Sequence, residues 1–179
     1  MDPSVCIEAA QAEDLPKLAR VERAANRLFV GRGVAGVTTD DVTPLAELAE
    51  ARAAGLLWVA RLAGGEPIGF ALLCLADGGP HVEEIDVDPA FGRRGIGRAL
   101  LETTLAWARG AGHRGITLTT FRDIPWNAAF YASAGFRAVV PHEVGPELAA
   151  IVRDETARGL DPGQRVVMRR DLAAPPPSR

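Results

Sequence analysis

The spacing of apolar residues along the chain predicts a succession of helices and strands. Apolar residues at helical spacing predict helices at residues 14–26, 44–54, 95–109, 127–134 and 145–158. Short apolar runs predict strands at residues 57–62, 67–75, 81–88, 116–121, 136–140 and 164–170. Helices dominate the start, a meander of strands follows, and strands then alternate with helices. This order predicts an α/β domain built on one mixed sheet.

The composition supports one globular domain. The chain has 179 residues, of which 47% are hydrophobic and 24% are charged. These proportions are near the average for globular proteins and allow a core of useful size. We predict a single domain at residues 1–172, followed by a proline-rich, disordered tail at residues 173–179 (AAPPPSR).

The charge and the cysteine pattern exclude several classes of protein. A net charge of −3 argues against a broad nucleic-acid-binding surface. Two distant cysteines and three scattered histidines predict neither a disulfide framework nor a metal site. No signal peptide or membrane-length apolar run is apparent, so we expect a cytoplasmic protein without a membrane partner. The sequence does not indicate an oligomeric state.

The sharpest chemical feature is a glycine-rich turn within residues 87–100, VDPAFGRRGIGRAL. An apolar strand enters this turn, which contains Gly92, Gly95 and Gly97 and opens an amphipathic helix. Glycine lets the backbone approach a ligand closely, and the first N–H groups of a helix are unpaired and lie at its positive end. The turn therefore predicts a seat for a pyrophosphate, with nearby arginines adding positive charge.

Two common phosphate-binding motifs do not fit this turn. A dinucleotide fingerprint read from Gly95 requires glycine at position 100, where the chain has Leu100. A P-loop requires lysine and then serine or threonine after its glycine, but Arg98 and Ala99 follow Gly97. The ligand is therefore expected to be a different phosphate compound.

The turn resembles that of the GNAT-type N-acetyltransferase superfamily, whose pattern is (Gln/Arg)-x-x-Gly-x-(Gly/Ala). Here Gly95-x-Gly97 matches, and Gly92 stands where Gln or Arg is usual. In that family the amides of the turn hold the pyrophosphate of coenzyme A, and the preceding strand pairs its backbone with the pantetheine arm. The resemblance implies that acetyl-CoA is bound by Ile85, Val87, Gly92, Arg93, Arg94, Gly95, Ile96, Gly97 and Arg98.

The same resemblance implies a fold and a reaction. The expected fold is a single α/β domain with a strongly twisted, mixed, mainly antiparallel sheet that is flanked by helices. The sheet is expected to splay between the strand of Ile85 and the strand of Leu118, where the coenzyme would enter. The expected reaction moves an acetyl group from acetyl-CoA to a primary amine, without a metal.

A second motif lies at residues 118–136, LTTFRDIPWNAAFYASAGF. Tyr131, the only tyrosine, lies four residues before Gly135, and the resemblance covers this spacing. In the family this tyrosine protonates the leaving thiolate of coenzyme A. A phenol with a pKa of about 10 is a suitable acid for a thiolate whose thiol has a pKa of about 8.5. The alternative role of Tyr131 is core packing.

Trp126 and Asn127 belong to a Trp-Asn-x-x-Phe-Tyr pattern that resembles one branch of the superfamily. The common form has an asparagine further upstream, where this chain has Ile124. The resemblance implies that Asn127 contacts the pantetheine or the acetyl end. It also implies that Trp126 forms a wall of the acceptor pocket, for which simple packing is the alternative.

The reaction requires a base, because an amine with a pKa of about 10.4 is neutral in only about one molecule in a thousand at pH 7. Strand alternation places Glu83 on one face of the strand at residues 81–88, and Glu84 on the other. We predict these two glutamates as candidate catalytic bases. Glu22, within the apolar stripe of the first helix, is a candidate acceptor-binding residue. A surface charge or an ion pair is the alternative for each.

The acceptor is expected to be a small-molecule or peptide amine, and the sequence does not identify it. A different class of function is a non-catalytic acyl-CoA-binding or sensing domain on the same fold. Such a domain would keep the glycine turn and lose the proton-transfer groups. The presence of Tyr131 and of the acidic strand favours an enzyme.

Overall fold

A mixed sheet of seven strands organises residues 5–172, the part of the chain that the computed structural model describes. The strands are β1 (Val5–Ala9), β2 (Leu57–Leu62), β3 (Pro67–Ala76), β4 (Gly79–Val87), β5 (Gly115–Phe121), β6 (Arg137–Ala138) and β7 (Arg165–Asp171). The α-helices of this part are α1 (Leu15–Asn26), α2 (Leu45–Ala53), α3 (Ile96–Gly110), α4 (Ala128–Ser133) and α5 (Pro146–Ala157). The tail predicted at residues 173–179 lies outside the described residues.

The strand order is β1-β2-β3-β4-β5-β7-β6. The pairs β1–β2, β2–β3, β5–β7 and β6–β7 are antiparallel. The pair β4–β5 is parallel, with His81 opposite Thr117 and Val82 opposite Leu118. The predicted α/β fold with a mixed, mainly antiparallel sheet is therefore confirmed.

Two strand predictions need correction. The sequence analysis missed β1, which pairs with the edge of β2 and has only Val5 buried in a five-residue run. So short a run has no clear alternation of its own. The strand predicted at residues 136–140 is limited to Arg137–Ala138. It ends early because Pro141, which has no N–H to donate, begins a 3-10 turn.

The described chain divides into two compact units, and the first comprises residues 5–33, 37–74 and 83–105. Its hydrophobic core contains Ala10, Leu15, Leu18, Val21, Leu48, Leu57, Val59, Phe70 and Leu72. Asp14 lies immediately before α1, but within the described residues its buried carboxylate does not cap the helix. Instead it accepts hydrogen bonds from the Gln11 amide at 2.8 Å and from Arg61 at 2.7 Å. The guanidinium group therefore replaces the helix amides as the partner of this acid.

The second unit comprises residues 34–36, 75–82 and 106–172. Its helix α5 is capped by Asp77, which lies in the turn between β3 and β4 with a φ of 52°. The Asp77 carboxylate accepts from the amides of Glu147 at 3.0 Å and Leu148 at 3.1 Å. A Cβ atom on Gly145 would lie 2.3 Å from this carboxylate, so the close contact between Asp77 and the start of α5 requires glycine at position 145. A distant turn thus satisfies the first amides of α5.

We expect Asp77→Ala to lower the free energy of unfolding by about 2 kcal/mol. Loss of a helix cap costs about 1 kcal/mol, and a positive φ costs alanine about 1 kcal/mol more. Urea unfolding measures the change. Asp77→Gly separates the two contributions, because glycine tolerates the positive φ and loses only the cap. An Asp77→Ala protein as stable as the parent would show that α5 does not depend on this contact.

Candidate active site

The glycine-rich turn of the first unit is anchored where it leaves β4. The Asp88 amide donates to the Ile68 carbonyl at 2.8 Å, and the Asp88 carboxylate pairs with Arg20 at 3.1 Å. A 3-10 turn follows at Pro89–Phe91, and the Gly92 amide donates to the Pro89 carbonyl at 3.0 Å. The Gly92 N–H is therefore bonded within the turn.

The backbone after Gly92 curves sharply before α3 begins. Arg93 has a φ of 63° and Gly95 a φ of 81°. The left-handed conformation costs a residue such as arginine about 1–2 kcal/mol, and strain of this kind concentrates at functional sites. Turns in which residues of positive and negative φ follow one another direct several backbone N–H groups into one concavity, and such a concavity binds anions. The described geometry thus fits the predicted pyrophosphate seat.

The start of α3 leaves room for a ligand. A Cβ atom on Gly97 would meet only the Val87 side chain, at 3.8 Å, and a Cβ atom on Gly95 would meet nothing within 4 Å. Arg93 and Arg94 are exposed, and Arg94 lies over the Phe91 ring at 5.6 Å. Since the first amides of a helix lack partners within the helix, amides and arginines together match a phosphate group.

An acidic cluster forms the second feature of the first unit, and it consists of Glu22, Glu84 and Asp86 with Thr43 between the two glutamates. The Thr43 amide donates to both carboxylate oxygens of Glu22 at 3.0 Å. The Thr43 hydroxyl lies 3.3 Å from Glu22 Oε1 and 3.2 Å from Glu84 Oε1. Glu22 is only 4% exposed. The predicted apolar stripe of α1 therefore places Glu22 inside the protein, against β4.

Burial and mutual repulsion raise the pKa values of the carboxyls in this cluster. Burial raises the pKa of Glu22. Burial, followed by the negative charges of Asp86 and Glu22, raises the pKa of Glu84 well above its usual range. Burial and the charge of Glu22 raise the pKa of Asp86 to about 8. Carboxyls with raised pKa values are stronger bases than ordinary ones, which suits them to accept a proton near neutral pH.

The structure separates the two glutamates that the sequence analysis paired. Glu84 belongs to the acidic cluster, whereas Glu83 lies on the other face of β4 and is exposed. Sequence analysis did not single out Asp86 as a candidate, although strand alternation placed it on the face of Glu84. Thr43 was missed as well, because no local pattern relates it to Glu84, which is 41 residues away.

In the second unit, Tyr131 lies on α4 with its ring packed between two phenylalanines. The ring meets Phe130 edge-on at 5.0 Å and Phe136 at 5.8 Å. Gly135 follows the helix with a φ of 83°, a conformation that glycine commonly adopts after the last helical residue. Tyr131 is half-buried, so packing fixes the ring without enclosing the whole side chain.

The two neighbours of α4 that the resemblance singled out lie at its start. Asn127 immediately precedes the helix, and its carbonyl accepts from the Tyr131 amide at 3.1 Å. Trp126 is 41% exposed, which is unusual for so large an apolar side chain.

In the second unit, buried Glu155 and the Nδ1 atom of buried His81 have hydrogen-bond partners, whereas His81 Nε2 has none among the described residues. The Glu155 carboxylate on α5 bonds Arg165 at 2.8 Å and also contacts the Thr119 hydroxyl. His81 Nδ1 lies 2.9 Å from the Thr117 hydroxyl, and burial lowers the pKa of His81 to about 4. His81 is therefore neutral at physiological pH, and the Glu155 charge is balanced by Arg165.

The metal-binding and membrane-spanning potential of the chain can be judged over residues 5–172. Within this range, no group of three or more His, Cys, Asp or Glu side chains is arranged to hold a metal ion. Over the same range, every helix is too short or too polar to cross a bilayer.

Comparison with solved structures places the fold among acetyltransferases. The PaiA N-acetyltransferase of Thermoplasma acidophilum, in complex with coenzyme A, superposes with a TM-score of 0.69 at 17% identity, covering 94% of this chain and 99% of that one. The Rv2747 protein of Mycobacterium tuberculosis, in complex with CoA and NLQ, has a TM-score of 0.63 at 21% identity, covering 94% of this chain and 99% of that one. At these identities the likeness shows the fold alone.

Comparison of sequences shows the family. A mycothiol acetyltransferase of Clavibacter michiganensis subsp. michiganensis is 35% identical over 130 residues, which is 69% of this chain and 41% of that protein. The peptidyl-lysine N-acetyltransferase YjaB of Salmonella typhimurium is 33% identical over 88 residues, which is 49% of this chain and 54% of that protein. The chain thus spans about half of the length of these relatives or less. The model of the acetyltransferase (GNAT) family matches residues 19–136. The chain therefore belongs to the acetyltransferase (GNAT) family.

Proposed function

We propose that this protein is an acetyl-CoA-dependent N-acetyltransferase that acts on a primary amine. The observation that carries the proposal is the glycine-rich turn, with positive φ at Arg93 and Gly95 directly before α3. This turn lies within the segment that the family model matches. Fold alone does not define activity, so the residues of each unit must supply the chemistry.

The residues of the turn fit the pyrophosphate of coenzyme A. We expect the amides of Gly95, Ile96 and Gly97 to bind it, because they open a helix whose positive end attracts phosphate. Arg93, Arg94 and Arg98 would add positive charge. Gly92 would contribute flexibility rather than its N–H, and Ile85 and Val87 would present their backbone to the pantetheine arm. Bound acetyl-CoA supplies the acetyl group as a thioester.

Glu84 is the proposed base. Its Oε2 atom is buried and has no hydrogen-bond partner among the described residues, so it is the available acceptor in the acidic cluster. The proton of the amine would move to this atom, which frees the nitrogen lone pair for attack on the acetyl carbon. Glu22 and Asp86 would keep the pKa of Glu84 high enough for it to hold that proton. Glu83 is exposed and is the weaker candidate.

Tyr131 is the proposed acid in the second unit. Its hydroxyl would donate a proton to the sulfur of coenzyme A when the carbon–sulfur bond breaks. The two edge-on phenylalanine rings hold the phenol ring in one orientation. Such proton transfer contributes about 10²–10⁴ in rate when the acid is well placed.

The acceptor is proposed to be a cationic amine, of which a peptide lysine is one example. One relative is named a peptidyl-lysine N-acetyltransferase and another a mycothiol acetyltransferase. The cluster of Glu22, Glu84 and Asp86 would attract a positive charge. Trp126, which is exposed, and Asn127 match the Trp-Asn-x-x-Phe-Tyr branch pattern. We propose that Trp126 contacts the acceptor and that Asn127 contacts the acetyl end of the coenzyme.

A thermal-shift titration followed by a thiol-release assay tests this function. We expect acetyl-CoA and coenzyme A to raise the melting temperature, because ligands that bind the native state stabilise it, and NAD to have no effect. Thiol release should then appear with at least one amine. Binding of both coenzyme forms without release on any amine would favour a sensing domain. No response to either form would contradict the assignment of the glycine turn.

A further inference from the structure

Thr43 lies between two carboxyl groups that cannot both receive its hydroxyl proton. Its Oγ1 atom is 3.3 Å from Glu22 Oε1 and 3.2 Å from Glu84 Oε1. A hydroxyl has one proton to donate and two lone pairs with which to accept. One of the two contacts therefore exists as a hydrogen bond only if the carboxyl on that side holds a proton of its own.

The surroundings of the two glutamates are unequal. Glu22 also accepts from the Thr43 amide through both of its oxygens, so it has a donor whatever the hydroxyl does. The Glu84 Oε2 atom has no hydrogen-bond partner among the described residues, and the Thr43 hydroxyl donates to Oε1 of the same carboxyl. Loss of the hydroxyl therefore affects Glu84 more than Glu22.

We propose that Thr43 is a positioning residue whose hydroxyl donates to Glu84 Oε1 and thereby stabilises the ionised form of this carboxyl, which accepts the proton on Oε2. This inference rests on the proposed function, in which Glu84 Oε2 accepts the proton of the amine. In that step an N–H bond of the substrate breaks and an O–H bond forms on Glu84.

The charged groups that face the pair set the direction of the pH dependence. Asp41 faces Glu22 from the segment that carries Thr43, and Asp86 faces Glu84 from β4. Asp41 opposes the ionisation of Glu22, and Asp86 opposes that of Glu84. The charge of Glu22 and a hydrogen bond with its carboxyl also raise the pKa of Glu84, whereas the hydrogen bond from Thr43 lowers it. Removal of the hydroxyl should therefore raise this pKa, and the enzyme should need a higher pH to reach its active form.

The test compares Thr43→Val, which keeps the shape and the backbone amide, with Thr43→Ser, which keeps the hydroxyl. The readout is the pH dependence of kcat/KM with an amine acceptor. We expect Thr43→Val to move the acid limb upward by about one pH unit, which lowers kcat/KM about tenfold at pH values on that limb. Activity should approach that of the parent at high pH, and Thr43→Ser should restore the parent profile.

Thr38→Val is the matched control for the possibility that the substitution acts by loosening the segment at residues 38–43. The Thr38 hydroxyl accepts from the Asp41 amide at 3.1 Å in the same segment, so this variant perturbs the segment and leaves the Thr43 hydroxyl in place. An acid limb that stays in position in Thr43→Val, or that moves equally in Thr38→Val, would overturn the proposal. If Thr43→Val does not fold, Thr43→Ala provides the same comparison.

A second readout does not depend on turnover. Carbon-13 NMR of labelled glutamates follows the titration of Glu84 and Glu22 in the coenzyme-free protein, with Glu84→Gln and Glu22→Gln used for assignment. We expect the Glu84 midpoint to rise in Thr43→Val and to return in Thr43→Ser. An unchanged midpoint would contradict the role of Thr43 even in an active enzyme. An inactive parent with a shifted midpoint would contradict the proposed function alone.

Discussion

Gly97→Trp is expected to abolish the binding of acetyl-CoA and of coenzyme A, with a loss of affinity of at least about a hundredfold. Gly97 lies in the first turn of α3, where the helix amides are available to an anion. An indole at this position would occupy the space that the pyrophosphate needs. Isothermal titration calorimetry with both coenzyme forms measures the loss.

Two alanine variants distinguish ligand exclusion from damage to the fold. A Cβ atom at Gly97 meets only Val87, at an ordinary contact distance of 3.8 Å, so Gly97→Ala should fold. Alanine is a better helix former than glycine, and Gly97→Ala should melt slightly higher than the parent while it binds the coenzyme more weakly. Gly110→Ala, at the other end of α3, should leave binding unchanged. Full affinity in Gly97→Trp would remove the pyrophosphate from this turn.

Tyr131→Phe is expected to lower kcat about a hundredfold and to leave the affinity for acetyl-CoA nearly unchanged. The substitution removes the proposed proton donor and keeps the aromatic ring. Because the ring packs edge-on against Phe130 and Phe136, phenylalanine should preserve those contacts and the position of α4. Steady-state kinetics at saturating acetyl-CoA, together with a direct binding measurement, tests both parts.

Phe130→Leu is a matched control for the packing around Tyr131. It weakens an aromatic contact without removing the phenol, so it should change stability more than kcat. If both variants reduce kcat equally, the effect of Tyr131 is structural. A Tyr131→Phe enzyme as fast as the parent would remove this residue from the mechanism.

Local patterns in the sequence predicted the parts of the site that depend on neighbouring residues. The glycine spacing of the turn predicted a tight backbone before a helix, and positive φ at Gly95 agrees with this. Period-two alternation separated Glu83 from Glu84, and the structure places only Glu84 in the acidic cluster. The helical stripe placed Glu22 among the apolar residues of the first helix, and the structure buries this side chain.

Contacts between distant parts of the chain could not be predicted in the same way. Thr43 reaches Glu84 across 41 residues, and Glu155 reaches Thr119 across 36. Both contacts depend on how a loop or a helix packs on the sheet, which no local period encodes. Similarly, β1 is defined by its pairing with β2 rather than by its own five residues.

The acidic cluster also couples protons to folding and to binding. The pKa of Asp86 is about 8 in the folded protein and near 3.8 in an ordinary aspartate. Because this pKa is raised, the stabilisation that the protonated carboxyl gives is fully present below about pH 4 and is lost as the pH rises through about 8. A bound cation, in contrast, favours the ionised carboxyl. Binding of a cationic acceptor near neutral pH would therefore release protons from the cluster to the solvent. The positive charge of the acceptor would then neutralise the ionised carboxylates.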